Sequence, residues 1–226
     1  MERAELIAAF REVVESRRSV RGFLPDEIPQ ETLDAIFTLA QTAPSNCNTQ
    51  PWIVHVASGE KCRRLKDGLT DALMQGQYAM DFPFDGCYHG IYKDRQHDAA
   101  RQLYGAMGIA REDKAGRQLA FLRNFSFFDA PHAVFLFLPE SFGVREAADL
   151  GMYAQNLMLA MTAYGIGSCA QTALSFHADL VREVLGVPAE HKLLFGISFG
   201  YEDAAVEANK ARVGRLPLAE AVTFHC

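Results

Sequence analysis

Apolar residues recur at helical spacing over residues 2–16, where Leu6, Ile7, Phe10, Val13 and Val14 share a side, and this predicts an opening helix. The pattern breaks at Arg17 and Arg18, and Pro25 and Pro29 then mark an extended stretch. A second helix is expected over 31–41 through Leu33, Ile36, Phe37 and Ala40. Pro44 ends it, because the residue before a proline is pushed out of helical backbone. Residues 52–57 read as a strand, and Gly59 lets the chain turn into a helix over 60–75. The middle, 77–129, is the least regular portion, rich in aromatics from Tyr78 through Phe84 to Tyr104 and helix-like near 96–107 and 112–124. A strand follows at 132–138, whose continuous apolar character marks burial on both faces. A long helix over 145–164 turns Leu150, Tyr153, Leu157, Ala160 and Met161 inward, and Gly165-Ile166-Gly167 caps it. A helix at 178–185 and a strand at 193–199 complete the series. Helices and strands alternate without the even rhythm of a doubly wound sheet, and no repeat or linker intervenes. The expectation is one α+β domain over 1–226.

Composition narrows the class. At 226 residues and 49% hydrophobic content the chain can build a substantial core, and 22% charged residues is ordinary for a globular protein. The net charge of −6 argues against a polyanionic partner, so no nucleic acid is expected. The longest apolar run, 133–138, is far too short to cross a bilayer, and no apolar signal core follows the N-terminus. Neither membrane nor export is therefore expected. Cys47, Cys62, Cys87, Cys169 and Cys226 are odd in number and scattered, with no C-x-x-C pair, which suits reduced thiols in a cytoplasm.

Against that acidic background, basic residues cluster twice. Arg17, Arg18, Ser19 and Arg21 follow the first helix, and Lys210 and Arg212 lie near the other end. Arginine meets a phosphate with a planar fork of donors, and a hydroxyl can add to it. Taken alone, the same residues read more simply as a solvated basic helix end and a charged tail. Between them runs Pro44-Ser45-Asn46-Cys47-Asn48-Thr49-Gln50-Pro51-Trp52, which is either a ligand-edge loop or a polar turn before a strand with Trp52 in the core. Gly165–Gly167 lacks the spacing of a dinucleotide fingerprint. The seven histidines fall in no H-E-x-x-H pair and beside no cysteine at ligand spacing, so neither a metal nor a catalytic triad is expected.

The order, spacing and identity of these segments resemble the nitroreductase family of flavoenzymes, which bind FMN at a homodimer interface. The likeness covers nearly the whole chain, including Phe128-Asp129-Ala130-Pro131 and the stretch from Phe195 to Asp203. It implies a central, mostly antiparallel sheet surrounded by helices in an intertwined homodimer. Arg17, Ser19 and Arg21 match the family's R-x-S-x-[KR] segment, with Arg18 between them, and Lys210 and Arg212 match its basic tail. By that likeness Arg17, Ser19, Lys210 and Arg212 hold the phosphate, and Arg21 lies near the pyrimidine edge. The family signature P-S-x-x-N-x-Q-P-W places Pro44, Ser45, Asn46 and Asn48 against the flavin bound mainly by the other subunit. Gln171, Thr172, Ala173 and Leu174, with Ser175, would pass backbone along the ring near its N5. The loosest match, 77–124, resembles the insertion of nitrobenzoate-reductase-like members and would wall the substrate pocket.

The resemblance implies an FMN-dependent oxidoreductase using NADH or NADPH as donor, with nitroaromatics or quinones as small-molecule acceptors. No side chain is singled out as catalytic, because the flavin carries the chemistry. Two alternatives share the FMN site. A deiodinase-like enzyme would need a lid gripping a zwitterion, for which Tyr92-Lys93-Asp94-Arg95 is the candidate stretch. A carrier or sensor would bind flavin without turnover.

Overall fold

The computed structural model describes residues 2–83 and 85–225, so Phe84 of the aromatic-rich stretch and Cys226 lie outside the described residues. Four strands, β1 (Ile53–Ser58), β2 (His132–Pro139), β3 (Gly167–Gln171) and β4 (His191–Gly200), pair antiparallel throughout in the order β1-β2-β4-β3. Strand β2 has neighbours on both sides, and both of its faces are covered, which is why the sequence there is apolar without alternation. Ala133, Phe135 and Phe137 join a cluster with Leu65 and Leu69 of α3 (Gly59–Met74) and Val181 of α7 (Ala178–Leu185). On the opposite face Val134, Leu136 and Leu138 pack with Ile36 of α2 (Gln30–Ala40) and Leu150, Tyr153 and Leu157 of α6 (Val144–Ala163).

Gly165, with φ of +73°, ends α6: its N–H reaches Thr162 O, and Ile166 N–H reaches Met161 O. Gly167 is not part of that cap. It opens β3, where an added Cβ would come within 2.9 Å of Val20 Cγ2, so its role is to let the N-terminal segment approach. Helix α5 (Lys114–Leu122) begins where Asp113 Oδ1 accepts the Gly116 N–H.

Two helices depart from expectation. The opening helix α1 (Arg3–Ser16) forms, yet none of its residues is buried: Leu6 is 52%, Ile7 55% and Phe10 63% exposed. Helix α4 (Gly90–Ala106) starts six residues before the expected 96 and buries nothing either, with Ile91 and Tyr92 facing solvent. Its first turns carry no core-facing periodicity to read. A short α8 (Leu218–Ala221) lies near the C-terminus. Among the described residues no helix is long and apolar enough to cross a membrane.

Candidate active site

The polypeptide leaves α1 at Ser16 and runs extended beside β3, where Ser19 bridges Ser168 and Val20 N–H donates to Ser168 O. The tail is fastened across this segment by Asn209, only 5% exposed. Its Oδ1 accepts the Arg21 N–H at 2.6 Å, and its Nδ2 donates to the carbonyls of Gly22 and Asp203, both at 2.9 Å. A Cβ at Gly22 would fall 2.5 Å from the Val206 side chain, so glycine is required for this docking. One buried amide thereby joins basic segments from opposite ends of the sequence.

The result is a cavity of about 1270 Å³. Arg17, Arg18, Ser19 and Arg21 line it from the first segment, and Arg212 and Arg215 from the tail. Gln155 and Met158 of α6 and Ala170 of β3 contribute further lining, as do Ala99, Ala100, Leu103 and Tyr104 of α4. A smaller recess of about 60 Å³, also lined by Arg21, Leu103 and Tyr104, continues toward Phe121, Arg123 and Asn124.

The charges divide sharply. Arg18 is neutralised, its Nη2 lying 2.6 Å from Glu202 Oε1. Lys210 donates to Glu207, is exposed, and lies outside the cavity lining. Arg17, Arg21, Arg212 and Arg215 form no ion pair among the described residues. Burial, and then the neighbouring Arg215 charge, push the Arg17 guanidinium below its ordinary pKa. Beneath them Cys169 is buried, which pushes its thiol up while Arg21, Ser19 and Arg17 pull the other way. Four cations outside any ion pair, against the single unpaired carboxylate of Glu15 in the same lining, make the cavity attractive to an anion.

The 44–52 loop lies apart from this cavity within its own chain. Cys47, Asn48 and Gln50 hold φ of +49°, +57° and +47°, a conformation non-glycine residues adopt at a cost. Buried Asp149 of α6 accepts the Asn46 N–H at 3.1 Å, and Ser45 Oγ accepts the Gln50 N–H at 2.9 Å. Trp52 anchors the far end by stacking on Tyr153 at 5.0 Å and donating Nε1–H to Gln41. Pro44, Asn46 and Asn48 are thus held firmly while facing outward.

The nitroreductase family model matches residues 14–201. This chain belongs to the nitroreductase family. It is similar to nitroreductase NfnB of Mycolicibacterium smegmatis, 46% identical over 97% of this chain and 94% of that protein. A 4-nitrobenzoate reductase of Nocardioides sp. is 34% identical over 96% of this chain and 90% of its own length. Among solved structures, that of the FMN-dependent nitroreductase NfnB from Mycobacterium smegmatis in complex with NADPH has a TM-score of 0.94. It is 45% identical, covering 98% of this chain and all of that one. The α+β architecture with its antiparallel sheet is the nitroreductase fold.

At the end of β3 and in the turn after it, most side chains are turned inward. Gln171 is 4% exposed, its amide donating to Asn124 O at 3.0 Å and Oδ1 at 3.1 Å and its carbonyl accepting from Ser198 Oγ. Ala173 and Leu174 are buried, and only Thr172 is exposed. Several cavity residues are not legible as such in the sequence. Ala170 is legible only once β3 alternation is known, and the Leu103–Tyr104 pair only once α4 is placed. Arg215 lay within the basic tail but outside the family pattern.

Proposed function

We propose that this chain is an FMN-dependent NAD(P)H oxidoreductase that reduces nitroaromatic or quinone-type acceptors, working as a homodimer. The observation that carries this reading is the convergence of Arg17, Arg21, Arg212 and Arg215, free of ion pairs, around one cavity. A phosphate monoester bears nearly two negative charges and suits such a cluster. The cavity of about 1270 Å³ exceeds the ~300–1000 Å³ typical of small-molecule sites, which leaves room for a donor or acceptor beside a flavin. Bound FMN would supply two-electron reduction and reoxidation, with a nicotinamide as donor and a nitro group or quinone as acceptor.

The chain's own groups would do the rest. Arg17, Ser19 and Arg212 grip the phosphate, while Arg18 is held by Glu202 and shapes the segment instead. Arg21, its backbone fixed by Asn209, would supply a permanent cation to a bound flavin, a charge that favours the reduced form. Ala170 gives a small, flat surface against which a planar ring can lie. Pro44, Ser45, Asn46 and Asn48 would reach the cavity of a second copy, which explains why a strained loop is so well anchored yet touches nothing in its own cavity. The exposed Leu6, Ile7 and Phe10 on α1 support the same pairing. The 77–124 segment, with α4 at the cavity, is proposed as an insertion of a single 1–226 domain. A cytoplasmic location is proposed with it, supported by Cys47, Cys62, Cys87 and Cys169 being free thiols.

Purified full-length protein tests the reading directly. It should carry or take up FMN, bleach anaerobically with NADPH or NADH, and regain flavin absorbance on addition of 4-nitrobenzoate. Failure to bind FMN would overturn the proposal, and bound FMN that neither nicotinamide bleaches would leave a carrier.

A further inference from the structure

We infer that Asp149 is a positioning residue for the flavin of a second copy, acting through the 44–52 loop that it holds; this rests on the FMN reading above. Asp149 is a poor choice for a core. It is only 4% exposed, no cation pairs with it among the described residues, and its one side-chain hydrogen bond there accepts the Asn46 N–H at 3.1 Å. A carboxyl group taken from water with so little compensation costs stability, and such breaches of core chemistry gather at functional sites. The bond lands where the strained backbone begins. Asn46 is followed by Cys47 and Asn48 at φ of +49° and +57°, and then by Gln50 at +47°. Backbone of that kind persists only where its surroundings over-determine it.

Helix α6 fixes both ends of the loop from one face. Asp149 holds the Asn46 end, and Tyr153, about one turn further along, stacks on Trp52 at the other. Between them Ser45 Oγ closes the loop on the Gln50 N–H. What the loop leaves over faces outward: the Asn48 side-chain amide and Asn46 Nδ2 make no hydrogen bond among the described residues, and both residues are exposed. The same helix lines its own cavity through Gln155 and Met158. One helix therefore sets the loop relative to a cavity that the loop does not touch. In a symmetric pair the Asp149 bond would set each loop against the flavin of the other copy.

Flavin-free full-length protein titrated with FMN well below its Tm, followed by quenching of flavin fluorescence, reads the effect. Asp149→Ala should bind FMN about tenfold more weakly while light scattering shows the wild-type mass. Asp149→Leu, which fills the space that alanine leaves and also lacks an acceptor, should lose as much. Asp149→Asn, whose Oδ1 can accept the same N–H, should bind close to the wild type. A mixed dimer of an Asp149→Ala chain and an Arg17→Ala chain, isolated through two affinity tags, then tests action across the pair. In it the Asp149→Ala chain keeps its own Arg17 and receives an intact loop from its neighbour, so one cavity of the two should regain wild-type affinity. An aspartate that served only stability would lower the Tm and leave these affinities unmoved. An alanine or leucine variant with wild-type FMN affinity overturns the inference, as does an asparagine variant as weak as the alanine one. A mixed dimer without a tight site also overturns it, since Asp149 would then act within its own chain. A wild-type chain that binds no FMN overturns the FMN reading itself, a result that the variants alone cannot produce.

Discussion

Arg17 leaves α1 with burial and the Arg215 charge both acting against its own, and no carboxylate relieves it. Inorganic phosphate should therefore raise the Tm of the flavin-free protein more than chloride at equal ionic strength, and Arg17→Ala should abolish the difference. A thermal melt series checks this. Asn209 is the residue on which the site's assembly turns. Removing its amide leaves the Arg21 N–H and the Gly22 carbonyl without their partner, so Asn209→Ala should cost about 1–3 kcal/mol in a denaturant melt. His132 offers a pH signature. Its Nε2 accepts the Ile28 N–H and its Nδ1 meets Ser58 Oγ, and burial lowers its pKa. The unfolded chain takes up a proton near pH ~6.5, while the folded chain resists doing so. Stability from His132 is thus complete above that pH and drains away as pH falls toward the depressed folded value. His132→Gln should flatten that part of the Tm profile. The chemistry at this scale was half legible: Arg17, Ser19 and Arg21 announce themselves by type and spacing. Arg18 does not betray its pairing, because Glu202 lies 184 positions away.

At the scale of elements, legibility follows burial. Strand β2 and helix α6 stand out in the sequence because their apolar residues are the core, and a buried pattern is what periodicity reports. Phe135→Ala in β2, fully buried in the cluster with Leu65, Leu69 and Phe127, should destabilise the fold by about 3–5 kcal/mol. The start of helix α4 does not show in the sequence because the helix has no buried stripe. The turn Phe127–Asp129 was not legible at all. Its three residues hold φ of +57°, +54° and +71° in succession, without a glycine to signal it. Tertiary contacts impose that backbone: Phe127 and Phe128 are buried, Phe128 O accepts the Phe23 N–H, and Arg123 lies 2.9 Å from Asp129. Asp129→Gly relieves about 1 kcal/mol of left-handed strain and forfeits only an exposed pair, so the melt should hold or rise slightly. Asp129→Val, branched at Cβ, should lower it.

For the whole molecule, what the sequence pattern could not distinguish is core within one chain from surface between two. The face of α1 was legible as apolar, and a single copy leaves Leu6, Ile7, Phe10 and Val14 exposed. A helix without one buried residue gains little from its own fold, since most helical stability comes from packing an apolar face. Burying Phe10 and its neighbours on a second copy recovers roughly 1.5–3 kcal/mol for each large side chain. The same pairing would carry the outward-facing 44–48 loop toward a neighbouring cavity. These two surfaces lie on different parts of the chain, yet the proposed pairing would satisfy both. Replacing Phe10 and Leu6 by glutamate would therefore put charge into the proposed contact without disturbing Arg17, Arg21, Asn209 or the sheet. Light scattering should show the double variant at half the wild-type mass, with its far-ultraviolet spectrum nearly retained. Its FMN affinity should fall along with its mass, because each cavity would lose the loop supplied by the other copy. A variant that becomes monomeric while holding FMN as tightly as before would separate the two surfaces and confine the flavin site to a single chain.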